Sequence, residues 1–243
     1  MNNILNNIWL KNIRAAALAT SFLAAAFLAG NANAGPTANS IKLLTANFAP
    51  RQVVKIEAGD FHFLPGQVAP IHTHSAPAVG YVTKGAIIYQ VEGEKPQILR
   101  AGDVFFEPVG PRILRFDNLS ATEEAIFIDF NLEQAGEPFI VFEKPLTEVI
   151  DRRTLPTTEL KATKVNQVNF YENVVQPNGV HKIDVTEPTL GIVAEGVIEL
   201  RVNGKTQRIV AGASFVLPEA GTKATIVNVS SEIAAKVITF HLL

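Results

Sequence analysis

The chain has no cysteine among its 243 residues. That single absence removes disulfides, thiolate nucleophiles and every cysteine-ligated zinc or iron–sulfur site. An excess of positive charge is also missing, since 21 basic residues face 23 acidic ones for a formal net charge of -2. With no Lys/Arg cluster to hold a phosphate backbone, nucleic-acid binding is set aside. There is one tryptophan and one methionine, and both lie in the first ten residues. Amphipathic helical periodicity is lacking beyond residue 40, as are a phosphate-cradling glycine loop and a Ser–His–Asp order at any informative spacing.

The one long apolar run, Ala15–Gly30, is too short for a comfortable bilayer span. Lys11 and Arg14 precede it, and Ala32-Asn33-Ala34 offers a small-x-small cleavage site behind it. That order is the order of a secretory signal peptide. Residues 1–34 are therefore expected to be removed, giving a periplasmic or secreted chain that begins at Gly35 and has no permanent membrane anchor.

The remainder is built from short alternating runs such as Val79–Val82, Ala86–Val91, Ile113–Phe116 and Ala125–Phe130, punctuated by Gly, Pro, Asn and Asp. This spacing predicts an all-β chain of sandwich or barrel type, with the 15 phenylalanines as core. The chain also repeats itself. Gly85, Gly102, Asn118 and Phe130 recur as Gly196, Gly212, Asn228 and Phe240, and Gly102–Pro108 aligns ungapped with Gly212–Pro218. Two copies of one barrel-like unit are expected, at 35–145 and 166–243, joined by a linker over 146–165.

Five histidines are present, and two of them form His72-Thr73-His74. Residues i and i+2 of a strand share a face, so both imidazoles can aim into one cavity. Gly66, His72, His74 and Gly85, followed by Gly102, Pro108 and Gly110, match the spacing of the two sequence motifs of the cupin superfamily, and the chain resembles a two-domain member of it. The resemblance implies a pair of double-stranded β-helix barrels of jelly-roll type, an association that is commonly dimeric, and a divalent metal (Fe, Mn, Ni or Zn) on His72 and His74. It also exposes departures. The family's glutamate falls on Ala78 and its third histidine on Ile113, so two of four ligands are missing. In the second copy Ile183 and Val185 stand at the paired histidines.

If position 113 points inward, strict alternation carries Arg115 and Asp117 inward as well. Arg115 is then either an anion-binding group beside the histidines or the partner of an internal acid such as Asp117. His62, between Phe61 and Phe63, is a further candidate for the same pocket, whereas His181 and His241 read as structural or exposed. Two functions follow from these residues. In one, an exported barrel binds a small anionic or sugar-like ligand through His72, His74, Arg115 and His62, with or without a weakly held metal. In the other, the chain is a metal-dependent enzyme of the cupin dioxygenase or isomerase type.

Overall fold

The computed structural model describes residues 38–146 and 149–243; the expected signal peptide lies outside the described residues. All regular structure among them is strand. In chain order the strands are β1 (Ala38–Phe63), β2 (His72–Thr73), β3 (Ala78–Lys84), β4 (Ala86–Val91), β5 (Gln97–Arg100), β6 (Val104–Glu107), β7 (Ile113–Asn118), β8 (Ala125–Glu133), β9 (Val141–Phe142), β10 (Asp151–Thr154), β11 (Thr158–Val175), β12 (Val180–Asp184), β13 (Thr189–Glu195), β14 (Val197–Val202), β15 (Lys205–Val210), β16 (Ser214–Leu217), β17 (Lys223–Asn228) and β18 (Ala235–Leu242). No helix among the described residues is long and apolar enough to cross a membrane.

The repeat is written into the topology. One half runs β6-β3-β8-β1 in the large sheet and β5-β4-β7-β2 in a small one. The other half runs β16-β13-β18-β11 and β15-β14-β17-β12. The large sheet is continuous through both halves, because β1 and β11 pair antiparallel along most of their length. The expected closed barrels are therefore open: each half is a sandwich of one small sheet on one end of a shared nine-stranded sheet. The segment expected to be a linker is also more ordered than a loop, since β10 pairs with β1 inside it and β11 begins at Thr158.

Alternation along each strand divides the apolar residues into three cores. On β8, Ala125 and Phe127 face the small sheet of the first half, while Ile128, Phe130 and Leu132 face the other way. On β18, Ala235 and Val237 face the small sheet of the second half, and Ile238, Phe240 and Leu242 face away. The outward sets meet in a central core where Phe130 and Phe240, equivalent positions of the repeat, lie 5.6 Å apart. Burying this second face of the shared sheet joins the two halves.

The repeated landmarks serve the fold. Asn118 donates through Nδ2 to the carbonyls of Phe63, Leu64 and Glu123, and its Oδ1 accepts from the Ser120 amide. Asn228 donates likewise to Val175, Gln176 and Ile233 and accepts from Ser230. Each asparagine satisfies the backbone of a tight turn that no strand partner reaches. Gly80 and Gly191 leave room for phenylalanine rings: a Cβ at either would come within 2.1 Å of Phe105 or Phe215.

Candidate metal centre

His72 lies on β2, which β7 flanks on one side and β9 on the other. His74 follows two residues later, bridged to Val109, and the two rings sit edge to face at 5.3 Å. Both are buried, at 3% exposure. The expected convergence of the pair therefore holds. His72 Nδ1 donates to the Pro70 carbonyl at 2.8 Å, which fixes the tautomer and leaves Nε2 as a free electron-pair donor.

Glu107 completes the cluster. It closes β6, alternates in phase with Phe105, and is as buried as the histidines. Its Oε1 is 3.7 Å from His72 Nε2, and its Oε2 is 3.2 Å from His74 Nε2. The second contact is close but poorly aligned for a hydrogen bond, so His74 Nε2 and Glu107 Oε1 are left without hydrogen-bond partners. Two imidazole nitrogens and a carboxylate oxygen thus fall within 4.8 Å of one another, and the set could hold a metal ion. Buried donors that converge without satisfying each other fit an ion better than they fit a hydrogen-bond network.

The position that should carry the family's glutamate is Ala78, and Ala78 pairs directly with Glu107 across β3 and β6. Directly paired residues share a face, so the carboxylate comes from the neighbouring strand into the same space. Sequence reasoning missed it because the motif fixes a position along one strand and not across two. A signal was nonetheless present. In the ungapped alignment Glu107 falls on Leu217, a charged residue where the repeat has core. Ile183, Val185 and Leu217 all lie in the apolar core of the second half.

Burial alone would push the Glu107 carboxyl up. The charge of His74 and the nearness of both imidazoles overturn that and hold it at about 2. Burial works against a charged His74 too, but Glu107 and then Asp129 raise its pKa. Asp129, flanked by Gly59 and Gly80 on the same face, is driven well above the carboxylate range by burial and by the Glu107 charge. The enclosure therefore favours the ionised form of Glu107 and the protonated form of Asp129. The cavity they share is about 30 Å³, walled by Phe61, Phe63, Phe116 and Phe127 and closed by Ile140, Phe142 and Ile150.

Two other expected site residues lie elsewhere. The pairing of β4 with β7 slips between Gln90 and Val91, placing Gln90 opposite Arg115 and Val91 opposite Ile113. This bulge resets the alternation, so Ile113 and Phe116 both enter the core and Arg115 turns out. Arg115 is 43% exposed and binds Asp117 at 2.7 Å, the internal-acid alternative. His62 lies on the opposite face of β1 from Phe61 and Phe63, between Glu124 at 2.9 Å and Asp60 at 3.3 Å. Neither reaches the cluster.

Residues 54–131 match the family model described as Cupin domain. The chain carries a cupin domain. That domain holds the whole cluster, from His72 to Glu107, together with Asp129. Among solved structures the chain is similar to salicylate 1,2-dioxygenase from Pseudaminobacter salicylatoxidans, at 15% identity over 78% of this chain and 71% of that one, with a TM-score of 0.56. It is also similar to AerE from Microcystis aeruginosa, at 15% identity over 86% of this chain and 98% of that one, with a TM-score of 0.57. At such identity the likeness concerns the fold. No curated protein sequence matches the chain.

Proposed function

We propose that the chain is an exported two-unit cupin whose first unit holds one divalent first-row transition metal ion on His72, His74 and Glu107. The observation that carries this reading is the convergence of three buried donors, of which His74 Nε2 and Glu107 Oε1 have no other partner. Two neutral imidazoles and one carboxylate make a set that leaves coordination positions open. When bound, the ion supplies a Lewis-acid centre for an oxygen-bearing ligand. The residues do the rest. Pro70 holds the His72 ring in place, Glu107 supplies the negative charge, and neutral Asp129 offers a carboxyl proton on the same cavity wall.

Cavity size limits the ligand. About 30 Å³ admits a group the size of a water molecule and not a sugar or an aromatic acid. A small inorganic or diatomic ligand therefore suits the metal better than the anionic or sugar-like molecule expected from Arg115 and His62. The dioxygenase reading gains support from the fold likeness, but an organic substrate would have to displace Phe142 and Ile150 from the mouth.

Metal analysis of the purified chain tests the proposal. Close to one divalent ion per chain is expected, lost in His72→Ala and Glu107→Gln and kept in His62→Ala and Arg115→Ala. A wild-type chain that takes up no Fe²⁺, Mn²⁺, Ni²⁺ or Zn²⁺ in calorimetric titration would overturn it. Export is checked on the same material, with Gly35 expected as the N-terminal residue of the periplasmic fraction.

A further inference from the structure

The second half has apolar residues at the places of His72, His74 and Glu107 but is not merely scaffold. The matched asparagine networks make Val175 the equivalent of Phe63, so Asn173 stands where the first half has Phe61. By the same repeat Thr239 replaces Asp129 and His241 replaces Asn131. The second half thus loses the polar residues of β2 and β6, keeps on β18 the two polar positions of β8, and gains Asn173 on β11. The result is a cavity of about 430 Å³ between β11, β12 and β18, against about 30 Å³ in the first half. In the first half β9 pairs with the outer edge of β2; β12, the equivalent of β2, pairs with β17.

The cavity wall is a continuous hydrogen-bonded chain. His241 Nδ1 is 2.9 Å from Glu187 Oε1, and His241 Nε2 is 3.2 Å from Thr239 Oγ1. Thr239 accepts from Asn173 Nδ2 at 3.0 Å, and Asn173 Oδ1 accepts from Ser40 at 2.7 Å. Each member fixes the rotamer and polarity of the next, so the wall is preorganised. Two further groups face the same space with no hydrogen bond to the described residues. Tyr171 stands edge to face with His241 at 5.0 Å and is partly exposed. The His181 ring is kept neutral by burial and by the nearness of His241, and so offers one donor and one acceptor.

We infer that this cavity binds an uncharged polyhydroxylated small molecule, a mono- or disaccharide. Its volume lies within the roughly 300–1,000 Å³ usual for small-molecule sites. The Glu187 carboxylate already faces an imidazole, and Lys182 and Asp184 bring charges of opposite sign to the same lining, so no cluster of like charge invites an ion. Mixed donors and acceptors beside an aromatic ring suit hydroxyls and the C–H face of a sugar. The inference is independent of the metal proposal.

NMR titration of the processed chain tests it, with glucose, N-acetylglucosamine and maltose as probes and acetate and sulfate as charged comparators. At least one sugar should shift the signals of Asn173, Thr239 and His241 saturably. Tyr171→Ala should weaken that binding about tenfold, the loss of one ring contact and one hydrogen bond. Asn173→Phe, which installs the ring of the first half, should abolish it, and Arg115→Ala should leave it unchanged. Asn173 is buried, so Tyr171→Ala at its partly exposed site decides the matter should Asn173→Phe not fold. The inference is overturned if no sugar binds, if only acetate or sulfate binds, or if Tyr171→Ala binds as tightly as wild type.

Discussion

The second half of the chain has already made the substitution that best tests the first: Ile183, Val185 and Leu217 occupy the places of His72, His74 and Glu107. Transplanting them as His72→Ile, His74→Val and Glu107→Leu removes both members of a buried charge pair together. Replacing such a cluster by well-packed apolar groups stabilises a fold by about 1–4 kcal/mol in known cases, because desolvation of the charges is no longer incurred. Glu107→Leu alone should behave differently. With Glu107 held at about 2 against an ordinary 4.5, the imidazoles outweigh the cost of burying its charge by a net of about 3 kcal/mol near neutral pH. The single change forfeits that net gain and strands His74. Denaturant unfolding followed by circular dichroism in EDTA should therefore order the proteins as triple variant, wild type, single variant. Saturating metal should then raise wild type by about 2.7 kcal/mol over its metal-free value at a hundredfold excess over Kd, while the triple variant does not respond. A triple variant less stable than wild type in EDTA would refute the reasoning, since the cluster would then be part of the core's own stability and not a retained ligand set.

The remaining predictions concern the turns and the pH response. Asn118→Ala and Asn228→Ala should each cost about 1–3 kcal/mol in denaturant unfolding, because each strands buried carbonyls, and the two losses should be similar because the networks match. A much larger loss at one site than at the other would argue against their equivalence. In metal-free protein the Glu107 contribution is present above pH 4.5 and fades as pH falls toward 2. The His74 contribution is present below pH 6.5 and is lost as pH rises through its elevated value. Asp129, raised well above 3.8, keeps its proton in the fold while the unfolded carboxyl ionises, so its contribution is already being lost as pH rises above 3.8. The denaturation midpoint in EDTA should thus peak near pH 4.5, fall as pH rises from there, and move upward in pH with metal, which competes with the His74 proton. A flat profile shared by wild type and Glu107→Leu would contradict this.

The fold and half of the site were legible for one physical reason: both depend on spacing along a single strand or turn. Glycines, prolines and asparagines at fixed offsets mark turns, and His72 and His74 share a face whatever lies beside them. What was hidden depends on neighbours. The slip at Val91 and Ile113 inserts no unusual residue, yet it reverses the facing of Arg115 and so removes the anion site that strict alternation implied. Glu107 joins the two histidines only through pairing with Ala78. The polar cavity of the second half is the reverse case. Asn169, Tyr171 and Asn173 alternate with Val168 and Phe170 along β11, and the alternating register was there to be read. It looks like an ordinary solvated face until the strand is seen to turn that face toward β12, where His181 waits across a gap that the first half fills with phenylalanine. Comparing the two halves position by position, rather than each half with a family pattern, is what separates a decayed site from a relocated one.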